Sequence, residues 1–393
     1  MTILYNGNIV TPTKVLYGYS IVINNERISD IIPNDQVDGK KYAEFYDCSG
    51  KYVLPGIIDI HSDVIEKVLV PRKGIIFDSA IALNEIDRQL ICQGITSIYH
   101  SMSIAETTIC DRYRTLNVDV NFRLCDYIFQ NKHKYSAHHN FHARFELNSI
   151  HSYEGLLVRI QQGKISELSF MDHTPGQGQY KDLDTFRKVI EQQYGKVSSE
   201  KSNQIIEKCQ KKDKLNNSLL NKLICSANEN KIPIAYHDVE FPEQLKWMLL
   251  NGLNICEFPL SISVAKEAVK NNMFVVVGAP NIVLGGSHNN NISALELLQN
   301  DLANIICSDY YSPSILFSIF KLYREHNFPL YKAVNYATIN PAKAMKIDKQ
   351  FGSITIGKYA DIIVVDESEN IPRVNLCFIM GKQHLSFTTR SSE

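Results

Sequence analysis

Eight short apolar runs recur through the middle of this chain: VLPGIIDIH, ITSIYHSMS, NFHARFEL, ISELSFMDH, IPIAYHDV, LNICEFP, FVVVGAPN and NIICSDY. Helical stretches separate most of them, among them SAIALNEIDRQLICQG and SPSILFSIFKLYREHN. Strands that are apolar along most of their length and alternate with helices describe a parallel sheet covered by its crossover helices. Eight such units suit an α/β fold of the closed (β/α)8, TIM-like kind, with an open doubly wound sheet as the alternative. A chain of 393 residues has room for such a barrel and a smaller unit beside it.

The two chain ends read differently. TILYNGNIVTP looks like two apolar runs about an Asn-Gly turn, and YSIVINNERISDIIP like a second pair about Asn24-Asn25. GSITIGKYADIIVVD and RVNLCFIMGKQH add β-rich segments at the other end. The two sets either pair into one small β-domain or decorate the barrel separately. One segment breaks the barrel rhythm: from Thr185 to Lys231 the chain is polar and lysine-rich, which reads as a solvated helical pair. Its position between two ligand-bearing strands admits a second reading, a lid over substrate.

Bulk charge excludes some functions. Lysine and arginine total 41 against 42 acidic residues, so no global field steers the chain to nucleic acid or to an anionic membrane. The nine cysteines are scattered and form no C-x-x-C, which points to reduced thiols in a cytoplasmic protein rather than a disulfide framework or a cysteine zinc site. The start MTILYNGNIVTPTKV lacks the basic and apolar regions of a signal peptide, and no window approaches the roughly 20 apolar residues of a membrane span. The expectation is a soluble, intracellular protein.

In a parallel barrel the active site lies at the C-terminal ends of the strands, so ligand-type residues belong last in each apolar run. His61 and Asp63 end the first run, and alternation along a strand aims both at one face. His142, Arg144 and Glu146 share a face of NFHARFEL in the same way, a charged trio that needs partners in a core. His173, His237 and Asp309 finish three further runs. Any one of these alone reads as an ordinary hydrogen-bonded histidine or ion-pair partner; five strand ends finishing alike read as a metal site. Imidazole nitrogen with carboxylate oxygen suits zinc, or else manganese or iron. The six candidate ligands His61, Asp63, Glu146, His173, His237 and Asp309 exceed what one tetrahedral ion needs, so two ions are expected, with Asp309 also taking the proton of the attacking water. Lys67, Arg72, Lys73 and Arg144 gather near these strand ends as candidate anion-binding groups. Gly285, Gly286, Ser287 and His288 follow the seventh strand as either an anion-cradling nest or a plain turn. There is no G-x-x-x-x-G-K-[ST], which disfavours a P-loop.

YVLPGIIDIHSD, the later His and Asp strand ends, and the tail ATINPAKAMKI…GSITIGKYADIIVVD resemble the amidohydrolase superfamily of metal-dependent hydrolases over nearly the whole chain. The resemblance implies a barrel over 54–351 and a small β-sandwich built from 1–53 and 352–393. HSDVIEKVLVPRKG, FMDHTPGQGQY, ICEFP, GAPNIVLGGSH and SDYYSPSIL are more narrowly similar to the PhnM family, the α-D-ribose 1-methylphosphonate 5-triphosphate diphosphatases of the carbon–phosphorus lyase pathway. That family shares the His61-x-Asp63 pattern in place of the usual His-x-His. The implied reaction is release of diphosphate from the triphosphate, by metal-bound hydroxide attacking the phosphorus nearest the ribose. Glu146 is then expected to bridge two metals, where other members use a carboxylated lysine. VEFPEQ after Asp238 and GGSHNNN depart from the family's usual loops and bear on the exact substrate. The expected partners are a small phosphorylated sugar and further copies of the chain, not nucleic acid or membrane. Rival readings are an amidohydrolase acting on a C–N bond, as a deacetylase or cyclic-amide hydrolase, and a metal-free structural homologue.

Overall fold

The computed structural model describes residues 1–72, 74–106, 116–286 and 292–387, without the side chains of 192–194. Strands β1 (Thr2–Val10), β2 (Val15–Asn24), β3 (Arg27–Pro33), β4 (Glu44–Asp47) and β5 (Tyr52–Pro55) come first. The barrel strands follow: β6 (Ile57–Ser62), β7 (Ile95–Ile104), β8 (His138–Glu146), β9 (Glu167–Met171), β10 (Ile234–His237), β11 (Ile255–Glu257), β12 (Phe274–Gly278) and β13 (Ile305–Cys307). The chain ends with β14 (Ile362–Asp366), β15 (Arg373–Ile379) and β16 (Lys382–Ser386).

Strands β6 to β13 lie side by side in chain order, and every neighbouring pair is parallel. These are the eight apolar runs read from the sequence. All six residues of β6 and all ten of β7 are buried, as strands covered on both faces must be. The cylinder closes at its C-terminal mouth, where Asp63 N donates to Asp309 O at 2.9 Å and Asp309 N to His61 O at 3.0 Å. Lower down, Tyr336 and Ala337 stand between β6 and β13 and accept from Ile306 N and Ile58 N, each at 2.9 Å. Among the described residues, the direct backbone-to-backbone bonds across the seam thus lie beside the ligand-type residues. The Asp59 carboxylate helps hold it by accepting from Ser308 N at 3.1 Å. Burial pushes that carboxyl up to about 6. Ile58, Ile60, Tyr99, Ile255, Val276 and Ile305 fill the lower barrel against Ala342 and Met345.

Strands from both termini form one separate, mostly antiparallel sheet in the order β16-β15-β14-β5-β1-β2-β3, with β4 also beside β1. Leu4, Ile9, Ile21, Val53, Ile362 and Phe378 make its own core. Asn25, at φ 54°, turns the hairpin between β2 and β3 as the sequence suggests. The Asn6-Gly7 pair does something else. Instead of a turn it makes an irregularity within the single strand β1, with Asn6 at φ 57°. The reason is a close approach: a Cβ on Gly7 would come within 2.4 Å of Val53 Cγ2, so only glycine lets β5 lie alongside.

The lysine-rich segment divides in two. Helices Leu183–Tyr194 and Ser199–Gln210 form a pair around a small core of Tyr180, Phe186, Val189, Ile190, Ile206 and Cys209. The next helix, Asn217–Glu229, instead buries Leu220, Leu223, Ile224 and Ala227 in the main core as an ordinary crossover helix.

Candidate active site

The carboxyl ends of the barrel strands converge on a cluster of imidazoles and carboxylates. His61 is the last but one residue of β6 and His237 ends β10, and their rings stack 5.3 Å apart at an interplanar angle of 9°. One carboxylate serves both: Glu257, at the end of β11, accepts His61 Nδ1 at 2.9 Å and His237 Nδ1 at 3.2 Å. Glu146, at the end of β8, does the same for His173. Its two oxygens take the His173 backbone N–H and ring Nδ1, each at 2.8 Å. An imidazole that gives Nδ1–H to a carboxylate keeps its lone pair on Nε2, which is how metal-binding histidines are oriented.

The Nε2 atoms of His173 and His237 both face Asp238 Oδ2, each at 3.6 Å. These three donor atoms lie within 4.8 Å of one another, as do donor atoms of His61, His237 and Glu257. Asp238 follows His237 directly, and simple alternation would turn it away. A left-handed backbone, φ 55°, brings it back to the same pocket. Phe258 and Asp309, at φ 49° and 54°, share this conformation just beyond β11 and β13. Non-glycine residues there carry backbone strain, and such strain gathers at functional sites.

Electrostatics fit a cation at this spot. Burial opposes charge on His173, yet the Glu146 and Asp238 carboxylates outweigh it and raise the imidazole to about 10. The pocket thus favours positive charge against two carboxylates. His237 moves the other way, well below its ordinary value, through burial and then the nearby Arg144, and so stays a neutral imidazole able to ligate. Burial pushes the Glu257 carboxyl up, but His142, His237 and Arg144 together hold it below the usual range. Glu167, at the start of β9, is raised far above that range by burial, by Glu257 and by Asp59. Two neighbouring carboxyls are thus pushed in opposite directions. Nitrogen and oxygen donors in this mixture suit zinc, manganese or iron.

Of the residues singled out from sequence, His61, His173, His237 and Glu146 come together here, and Asp63 and Asp309 meet beside them across the barrel seam. Both Glu146 oxygens are engaged by His173, through its backbone N–H and its ring Nδ1. Arg144 lies buried in the same cluster and donates to His237 Nε2 at 3.2 Å. Lys67 donates to the carbonyl of Tyr310, next to Asp309, while Arg72 is exposed. The Gly285-Gly286 nest is not formed. Both amides donate to Asn281 O, closing the helix Ala279–Leu284 with Gly285 at φ 77°, so neither points to an anion. Lys73, Ser287 and His288 lie outside the described residues. His142 is inside the barrel but both nitrogens meet neighbours, Ser101 Oγ and Ile60 O at 3.1 Å and Ser169 Oγ at 2.9 Å. Sequence reasoning missed Glu257, Asp238 and Glu167; a carboxylate within ICEFP was the available signal for the first.

The sequence profile of the amidohydrolase family matches residues 129–391. The chain belongs to the amidohydrolase family. It is a hydrolase, and the family's fold is the barrel with a terminal sheet described above. End to end, it is 28% identical over 387 residues to the α-D-ribose 1-methylphosphonate 5-triphosphate diphosphatase of Escherichia coli K12, covering 97% of this chain and 99% of that one. Among solved structures, the N-acetylglucosamine-6-phosphate deacetylase of Pasteurella multocida superposes with a TM-score of 0.66 at 13% identity, over 98% of this chain and 100% of that one. A Xaa-Pro dipeptidase with bound methionine gives 0.67 at 15% identity, over the same 98% and 100%. At such identities the structural likeness speaks for the fold alone. No helix among the described residues is long and apolar enough to cross a membrane.

Proposed function

We propose that this amidohydrolase cleaves α-D-ribose 1-methylphosphonate 5-triphosphate to 5-phospho-ribose 1-methylphosphonate and diphosphate, in the cytoplasm. The observation that carries this reading is the end-to-end likeness to the E. coli diphosphatase, 97% of one chain against 99% of the other. The pocket chemistry supports it, since imidazoles and carboxylates surround a place where two carboxylates favour positive charge. Free thiols at all eight described cysteines agree with a reducing compartment.

His173, His237 and Asp238 would hold one divalent ion, and His61, Asp63 and Asp309 a second, zinc being the first choice and manganese or iron the others. Such ions, when bound, ease the deprotonation of water and neutralise charge on phosphoryl oxygens. The chain's own groups do the rest. Glu257 and Glu146 keep the imidazoles in register behind them. Asp309 takes the proton of the attacking water. The water oxygen bonds to the phosphorus nearest the ribose, the bond from that phosphorus to the bridging oxygen breaks, and diphosphate leaves with the electron pair. Arg144 grips a phosphoryl oxygen, and Lys67 and Arg72 sit on the approach. Arg144 donates to the His237 Nε2 lone pair that a metal would need, so Arg144 would be free to turn to the substrate with the site loaded.

Phosphorus NMR on metal-supplemented protein tests the reading. Diphosphate is expected from ribose 1-methylphosphonate 5-triphosphate and not from ATP. No diphosphate from either would overturn it and direct the search to N-acetyl and cyclic-imide substrates.

A further inference from the structure

The motif ICEFP contains a dipeptide, Glu257-Phe258, that touches three separate parts of the cluster. Glu257 is fully buried, and its two carboxylate oxygens are divided between two imidazoles, Oε1 on His61 and Oε2 on His237. Its carbonyl accepts the Asp238 amide at 2.9 Å, so the same residue anchors the left-handed backbone that returns Asp238 to the pocket. Phe258 then packs edge-on to both rings, 5.1 Å from His61 at 84° and 5.1 Å from His237 at 74°. To stand there it adopts φ 49°, a conformation costly for a bulky side chain, and its amide is pinned to Val276 O at 3.0 Å.

We infer that Glu257 and Phe258 are a single positioning unit that fixes His61 and His237 together, each protonated on Nδ1 and each turning its Nε2 lone pair to the pocket. The inference rests on the reading that these two histidines ligate metal. For His237 the tautomer is set from both sides. Arg144 is a donor only, so Nε2 must accept from it, which leaves Nδ1 to carry the hydrogen towards Glu257. For His61 the carboxylate is again the acceptor, and Nδ1 the donor. One carboxylate with two free acceptor oxygens can satisfy both rings. A carboxamide cannot, because it offers one acceptor and one donor. Glu257 ends the three-residue strand β11 fully buried, with each of its oxygens turned to one of the two rings.

Histidine tautomers read by long-range proton–nitrogen NMR on 15N-histidine protein without metal test this directly, with His61→Gln and His237→Gln for assignment. Wild type should show both rings protonated on Nδ1; either ring protonated on Nε2 overturns the inference whatever any variant does. Glu257→Gln should move one ring to the Nε2–H tautomer and weaken zinc binding, measured by competition with a chromophoric chelator, by about 10- to 100-fold. Glu257→Asp, which keeps both acceptor oxygens, should retain both tautomers and recover part of the affinity. Unchanged tautomers and unchanged zinc affinity in Glu257→Gln would remove the positioning role and leave the metal site standing. Wild type with no measurable zinc affinity would instead bring down the metal reading itself.

Discussion

Two histidine clusters on this barrel use the same residue types to different ends. Between the barrel wall and the helix Ser79–Cys92, His100 on β7 meets His139 on β8 at 2.8 Å, and His139 turns its other nitrogen to Asp87 at 3.0 Å. Asp87 also accepts the amides of Ala137 at 2.8 Å and Ser136 at 3.1 Å. Both nitrogens of His139 are committed to neighbours, and the chain of contacts ends in a capped loop. At the barrel mouth the second nitrogens of two rings converge on one carboxylate oxygen, and Arg144 also donates to that of His237. His173 and His237 each commit Nδ1 to a carboxylate and direct Nε2 to the oxygen of Asp238. The outer cluster ties a loop to a helix and the inner one gathers donor atoms that could hold a metal ion, and the distinction lies in where the second nitrogen goes, not in how many histidines are present.

The comparison can be broken most easily from the inside. Asp309→Ala should lower kcat by about 10²- to 10⁴-fold, and His61→Ala should lose turnover together with bound metal, as read by steady-state assay and elemental analysis. More than a few per cent of residual activity in either would remove that residue from the site. Arg144→Met should raise KM about tenfold or more, since a charged hydrogen bond to phosphate is lost, while metal affinity holds or improves because its competitor for His237 Nε2 is gone. An unchanged KM would take Arg144 off the substrate.

The outer cluster should answer with stability alone. His139→Ala strips a partner from buried Asp87, so chemical denaturation should register a loss of about 1–3 kcal/mol, with metal content and kcat unchanged. A fall in kcat at full folding would erase the division between the two clusters. The smallest effect is a pH signature. Burial works against the Asp87 carboxylate, but His139 and the two amides hold it below its ordinary 3.8. A depressed carboxyl stabilises the fold above its unfolded value, and that contribution is lost as pH falls through the folded one. The stability gap between wild type and Asp87→Asn should therefore be full near neutrality and shrink as pH drops below ~4. A gap that does not change with pH would mean that charge on Asp87 plays no part.

Much of the architecture was legible because burial on both faces leaves a plain mark. Apolar runs such as ITSIYHSMS read as covered strands, and the His, Asp or Glu at or just beyond the end of five of them marks the mouth of the barrel. What stayed hidden depends on geometry that pattern does not carry. Asp238 sits one residue after His237 and reads as facing away until its left-handed backbone is seen. Glu257 follows Cys256 at the end of a three-residue strand, too short for alternation to single it out. Glu167 opens β9 as a fully buried carboxyl, whereas a charge at a strand start ordinarily reads as loop. Gly285 and Gly286 look like an anion cradle in sequence, yet a helix that ends there claims their amides first. In the same way, Asn6-Gly7 carries the letters of a turn but serves the close approach of β5 to β1.

The central claim, that the inward cluster is a metal-dependent phosphoric-anhydride hydrolase, is met most directly by one titration. The protein is stripped of metal with a chelator, and zinc or manganese is then added back in steps while phosphorus NMR follows diphosphate release from ribose 1-methylphosphonate 5-triphosphate. The account predicts no release from the stripped protein and a rise that saturates at about two ions per chain. Release that persists after stripping, or a metal-loaded protein that leaves the triphosphate intact, would contradict it.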